Sequence, residues 1–310
     1  MSSVRGVPVS QTRVRTRLKE PEEIRRRRAL KRVDRELSKS NFRAALSLVK
    51  QLQGKPGGLR GFGAAKQVSQ RISSLDELDL GGMDTSSLRS LVDSVLDSIR
   101  RSIQFPLTGE VSSLGLETFM EGENYDCPCE DHLRCMQHEA GHFLVGYLLG
   151  VLPKRYRVPS MEGLRQEEFA GGKVEFLGFE FLSELDTATT LYKDFTKGKL
   201  SDVAIKRKIS FTVLKRFLCV ILGGLVAEHL VFGYSEGHYS DVEKLDSVLK
   251  WVGFSENEAD LQVRWAALNT VLILVRHHEA RSRLAEAMAL GRSVGFCIDT
   301  IESTLHGKDI

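Results

Sequence analysis

His138, Glu139 and His142 stand in the string His-Glu-Ala-Gly-His. On a helix, positions i and i+4 lie one above the other, so both imidazoles can reach one metal ion with the carboxylate beside it. Zinc suits such a set. Neutral imidazoles bind Zn²⁺, the ion lowers the pKa of water towards neutrality, and a carboxylate takes the proton as that water attacks a carbonyl. Two histidines on an ordinary helix could also be plain surface or core residues. The run that follows, Phe143, Leu144, Val145, Tyr147, Leu148 and Leu149, is apolar, so the string opens a buried helix where unpaired imidazoles are costly. Burial favours the metal.

A catalytic zinc takes three protein ligands and leaves one position open. Two downstream segments offer acidic candidates: Leu222-Gly-Gly-Leu-Val-Ala-Glu228-His-Leu-Val-Phe-Gly233 and Gly237-His-Tyr-Ser-Asp241-Val. The pentapeptide and these segments, in this order, resemble the peptidase domain of the FtsH family of membrane-associated zinc metalloproteases. That family shows His-Glu-Ala-Gly-His, then Gly-Gly-x-x-Ala-Glu-Glu, then Gly-Ala-x-x-Asp opening a helix. The likeness runs through residues 136 to 252, with a weaker helical echo to 303.

Carried over position by position, the resemblance makes His138, His142 and Asp241 the zinc ligands and Glu139 the general base. It places Glu228 behind the metal, orienting a histidine. Other roles stay open for the two acids: Glu228 as a helix carboxylate paired with an Arg or Lys, and Asp241 as a first-turn residue favoured by the helix dipole, with Ser240 as cap. His229 stands where the family has a second Glu, and Gly237-His238 where it has Gly-Ala. His238 is a candidate donor to a transition-state oxyanion, or a solvent-facing loop residue. The spacer between His142 and Asp241 is longer than the family pattern, with the excess expected within residues 155 to 210. Inside it, Val174 to Phe181 alternates apolar and polar residues and reads as a strand, a candidate platform for extended substrate whose aromatics could equally pack the core.

The family carries an ATPase module with a Gly-x-x-x-x-Gly-Lys-Ser/Thr loop, and no such string occurs in these 310 residues. The expectation is a zinc metalloendopeptidase that is ATP-independent in this chain. It would cut accessible or unfolded protein and peptide segments, or work beside a separate AAA ATPase or an FtsH-type complex. The competing expectation is an inactive scaffold or assembly subunit that keeps the peptidase fold. The ATPase-less members that the chain resembles are plant plastid proteins, which implies a chloroplast location, in the stroma or peripheral to a plastid membrane.

Apolar residues make up 42% and charged residues 27% of the chain, ordinary values for a globular protein, and the net charge of +3 makes no case for nucleic acid. Basic residues are nevertheless uneven, with Arg25 to Arg28, Lys31 and Arg32 in one short stretch that reads as a solvated helix face or, less simply, as a site for RNA or an anionic membrane. No apolar run approaches the roughly 20 residues that span a bilayer, so no transmembrane helix is expected, while peripheral membrane association stays open. Residues 1–19 lack Asp and Glu and read as a basic tail or transit-peptide remnant.

The elements that must position the candidate site are mostly helical. Residues 20–110 form a helical module: a hairpin from Pro21 to Leu52, then an amphipathic helix from Ser87 to Ile103. Residues 111–250 form the metallopeptidase core, and residues 251–310 supply helices packing on it, including one expected from Val271 to Leu290 with His277 and His278 on its surface or capping a contact. The fold class is α+β, mainly α-helical, with a small sheet. Cys219 and Cys297 lie in apolar stretches and should be buried, whereas Cys127, Cys129 and Cys135, with His132 among them, could be free thiols, a redox pair or a second zinc site.

Overall fold

The computed structural model describes residues 21–69, 85–104, 128–159, 172–185, 209–235 and 239–305, together with Ile310. Pro21 precedes α1 (Glu22–Ser38), whose first turn carries Glu22 and Glu23, acids that suit the positive end of a helix dipole. Leu30, Val33 and Leu37 form its buried stripe, and α2 (Phe42–Leu52) packs back against it as the expected hairpin. Helix α3 (Thr85–Gln104) buries Leu88, Val92, Val95, Leu96 and Ile99, matching the apolar spacing of its sequence.

The centre of the molecule is α4 (Pro128–Leu148), whose second half is buried on every side. After a turn at Gly150, β1 (Pro153–Arg157) pairs antiparallel with β2 (Lys173–Phe176), and Arg155 reaches across to Glu175 in a bidentate pair with both contacts at 2.9 Å. The Phe176 ring seats on Gly146 of α4, where an added Cβ would lie 2.3 Å from it. The strand is shorter than its sequence pattern. Gly178 turns the chain with φ +97, and residues 181–185 are helical, so Phe179 and Phe181 leave the sheet and meet Phe217 edge-on, with Phe181 also stacked on Trp251. The aromatics of this segment thus serve packing.

Helices α5 (Phe211–Ile221) and α6 (Gly223–Phe232) follow, with Gly233 ending α6 in the left-handed conformation that glycine adopts without penalty. Helix α7 (Tyr239–Val252) packs on α3 and α5, and α8 (Glu256–Arg276) begins with a capping box between Ser255 and Glu258. The single helix expected from Val271 to Leu290 is broken. His277 leaves helical geometry at φ −113 and ψ 32, is buried rather than surface-lying, and divides α8 from α9 (His278–Ala289).

Helix α10 (Val294–Thr304) closes the chain against α1. Asp34 accepts from Ser293 Oγ and Gly295 N at its start, and Asp299 accepts from Arg26 (2.6 Å) and Arg27 (2.7 Å) in its middle. Near its end, buried Glu302 accepts from Arg60 N, Gly61 N and the Tyr147 hydroxyl, tying the loop after α2 to both α10 and α4. The fold is mainly helical with a small two-stranded sheet. No helix among the described residues is long and apolar enough to cross a membrane.

Candidate metal centre

Three helices build the site, and two glycine contacts set their spacing. Gly141 of α4 faces Gly223 of α6 so closely that a Cβ on Gly141 would lie 2.2 Å from the Gly223 carbonyl oxygen. One residue on, Gly224 lies against the His138 ring, 2.4 Å from where its own Cβ would stand. The glycines in both sequence segments therefore bring α6 onto the metal-facing turn of α4.

His138 Nδ1 donates to Glu228 Oε1 at 2.6 Å, and His142 Nδ1 donates to the Val220 carbonyl at 2.7 Å. With each proton held on Nδ1, each Nε2 carries a lone pair. Those two Nε2 atoms lie 2.9 Å apart, and Asp241 Oδ2, from the first turn of α7, lies 3.0 Å from one and 2.9 Å from the other. Three electron-rich atoms thus converge with no donor between them, which is repulsive unless a cation or an added proton sits there. The donor set, two imidazoles and a carboxylate from three converging chain segments, fits a divalent metal ion. Among the described residues, His138, His142 and Asp241 are the group that could hold one.

The charges respond accordingly. Burial would lower the His138 pKa, but hydrogen bonds to Asp241 and Glu228 outweigh it and hold the imidazole well above its ordinary value. Burial would raise Asp241, and the two histidines outweigh it to hold the carboxyl far below its usual range. Without metal, a proton shared within the cluster takes the cation's place, so metal binding must displace it.

Glu139 stands apart from this triangle. It is 4% exposed, burial raises its pKa against the opposing pull of His142 and His138, and its Oε2 has no hydrogen-bond partner among the described residues. The backbone at Gly172, entering β2, lies directly over it: a Cβ there would be 2.5 Å from Glu139 Oε1 and 2.8 Å from Cys135 Sγ. Burial first, and then Glu139, push the Cys135 thiol up to about 12, so it is a neutral neighbour of the site.

Glu228 is 1% exposed and holds His138 on one oxygen while Ser235 Oγ donates to the other at 2.8 Å. Sequence reasoning missed Ser235, whose only signal was its place just beyond the Gly233 turn. His229 points elsewhere: its Nε2 meets Ser98 Oγ of α3 at 3.1 Å, and burial lowers its pKa. Ser240 lies inside α7 rather than capping it, while Asp241 occupies both the first turn and the triangle. Cys219 and Cys297 are buried as expected. The expectations for His238 and Cys127, and most of the 155 to 210 spacer, lie outside the described residues, as does the side chain of Cys129.

Comparison with protein-family models, with curated proteins and with solved structures found no match to this chain.

Proposed function

We propose that the protein is a zinc metalloendopeptidase whose catalytic domain is of the FtsH type. The observation that carries this reading is the pairing of a donor-free triangle, His138, His142 and Asp241, with an adjacent buried carboxylate, Glu139, one of whose oxygens has no hydrogen-bond partner among the described residues. When bound, zinc supplies Lewis-acid polarisation of a carbonyl and makes water nucleophilic at neutral pH.

The chain's own residues do the rest. His138 and His142 are fixed in the metal-accepting tautomer by Glu228 and the Val220 carbonyl. Glu139, raised in pKa by burial, takes the proton of the attacking water and returns it to the leaving amine. Its neighbour Gly172 brings bare backbone against it, and Glu139 is left 4% exposed. A metal that only stabilised the fold would not need such a group, which weighs against the reading as an inactive assembly subunit.

Within this proposal the substrates are accessible or unfolded protein segments, presented directly or by a separate AAA ATPase. The location is the chloroplast, as the resemblance implies. Glu139→Gln tests the chemistry. The variant should keep about one zinc per chain by elemental analysis while cleavage of unfolded casein falls by about 100-fold or more. No cleavage by either protein with zinc in place would return the protein to the scaffold reading, and undiminished cleavage by the variant would take the base role away from Glu139.

A further inference from the structure

The arginine-rich stretch divides in the folded protein. Arg26 is buried in its ion pair with Asp299, and Arg27 joins the same carboxylate from the edge of the helix. The remaining cations, Arg25, Arg28, Lys31, Arg32, Arg35 and Lys39, are all exposed. Residues 25, 28, 32, 35 and 39 are spaced alternately three and four apart, so they form one row, with position 31 beside it, on the side of α1 opposite Leu30, Val33 and Leu37. From Arg25 to Lys39 that row is about 21 Å long. Beyond Glu22 at its start, which lies 3.8 Å from Arg25 in an exposed pair, the row meets acids only at its flanks: Glu23 and Asp34 project to the side where α10 packs, and Glu36 lies on the other side. Both neighbours of α1, the helices α2 and α10, leave this side uncovered among the described residues.

We infer that this face of α1 is a docking surface for a membrane carrying anionic lipid. The argument is charge complementarity over a straight, flat row. Four to eight cations on one helical face gain about 1 kcal/mol each near an anionic bilayer, and arginine forks match phosphate oxygens in pairs. A protein partner would call for a buried apolar or aromatic centre, and the row offers only Ile24 at 46% exposure. Single-stranded nucleic acid would call for aromatic platforms, and α1 contains no aromatic residue. Docked this way, the protein would lie on the bilayer along α1 and act on segments held near that surface. The inference stands independently of the peptidase reading.

Vesicle flotation with the full chain tests it. Wild type should float with phosphatidylcholine vesicles containing phosphatidylglycerol, not with pure phosphatidylcholine, and the binding should weaken as salt rises. Replacing Arg25, Arg28, Arg32 and Arg35 together by Gln, a good helix former, should lower the partition coefficient by about 100-fold or more with an unchanged thermal melt. A control replacing Lys173, Lys250, Arg264 and Arg283 by Gln removes the same charge from exposed positions elsewhere and should float like wild type. Three results would overturn the inference: equal loss in both variants, which makes the effect one of net charge; persistent flotation of the α1 variant, which moves it to the basic residues 1–19; and no flotation by wild type. Retardation of RNA without flotation would reassign the row to nucleic acid.

Discussion

At the C-terminal end of α4, the Tyr147 hydroxyl donates to Glu302 at 2.6 Å, and that carboxylate also receives the backbone N–H groups of Arg60 and Gly61. One turn and more towards the N-terminus of the same helix, His138 and His142 turn lone pairs towards a third acceptor, Asp241. Both clusters are buried, polar and centred on a carboxylate. They differ in the balance of donors and acceptors. Around Glu302, three donors meet one anion and the cluster is complete as it stands, so it fastens the loop after α2 and the last helix onto α4. Around Asp241, acceptors outnumber donors, and the cluster is complete only when a cation or an added proton sits among them. Burial and charge alone would have marked both as remarkable sites of equal kind; counting donors separates a fastening from a binding centre.

The largest way to break the comparison is at the fastening. Glu302→Ala leaves two buried donors, Gly61 N and the Tyr147 hydroxyl, and the part-buried Arg60 N without their acceptor, and should cost about 3 to 5 kcal/mol in urea unfolding, with metal content per folded chain unchanged. Asp241→Ala should do the reverse. It removes a ligand, so metal binding should weaken by about 100-fold or more in competitive chelator titration, while the metal-free chain, which gives up the shared proton along with the carboxylate, should lose less stability than Glu302→Ala does. A loss of stability in the metal-free Asp241 variant matching that of Glu302→Ala would mean the two clusters do the same job.

Smaller substitutions sharpen the distinction. Glu228→Gln keeps the shape but weakens the hold on His138, which should lower metal affinity by about 10- to 100-fold. The smallest effect concerns His229, which lies beside this site yet faces α3. Its folded pKa is lowered by burial, so as pH falls the unfolded chain takes the proton first. Its contribution is therefore fully present above the unfolded value near 6.5, declines as pH drops below it, and levels off beneath the folded value. Comparing wild type with His229→Gln in unfolding titrations at pH 7.5 and 5.5 should show about 1 kcal/mol or less of extra acid sensitivity in wild type. An opposite sign would mean that His229 is charged in the fold.

The legible parts of this molecule are those written in local periodicity. The bounds of α1, α2 and α3 follow from apolar residues at helical spacing, and the pentapeptide follows from the stacking of i and i+4. Asp241 and Glu228 were legible only through resemblance, because nothing local tells a first-turn aspartate that could hold a metal from one that merely suits the dipole. What escaped was set by tertiary contact. Alternation through Phe181 suggested a strand, but Gly178 turned it and the core claimed the two aromatics. No proline or glycine marks the break at His277, so periodicity ran straight through it. Ser235 is an ordinary loop serine until Glu228 is folded beside it.

The contact between Gly224 and His138 has a consequence for how the chain can vary. Glycines 178, 233 and 253 are held by backbone angle alone, with no atom of the described residues within 4 Å of where a side chain would start, so asparagine, which tolerates left-handed geometry, can replace each. At 224 there is no open space and no such alternative: even a methyl group would occupy the volume of the imidazole. A position with no side chain, no charge and no ligand atom should therefore be as intolerant of change as the histidines themselves, and a saturation screen for metal retention would mark it as part of the site.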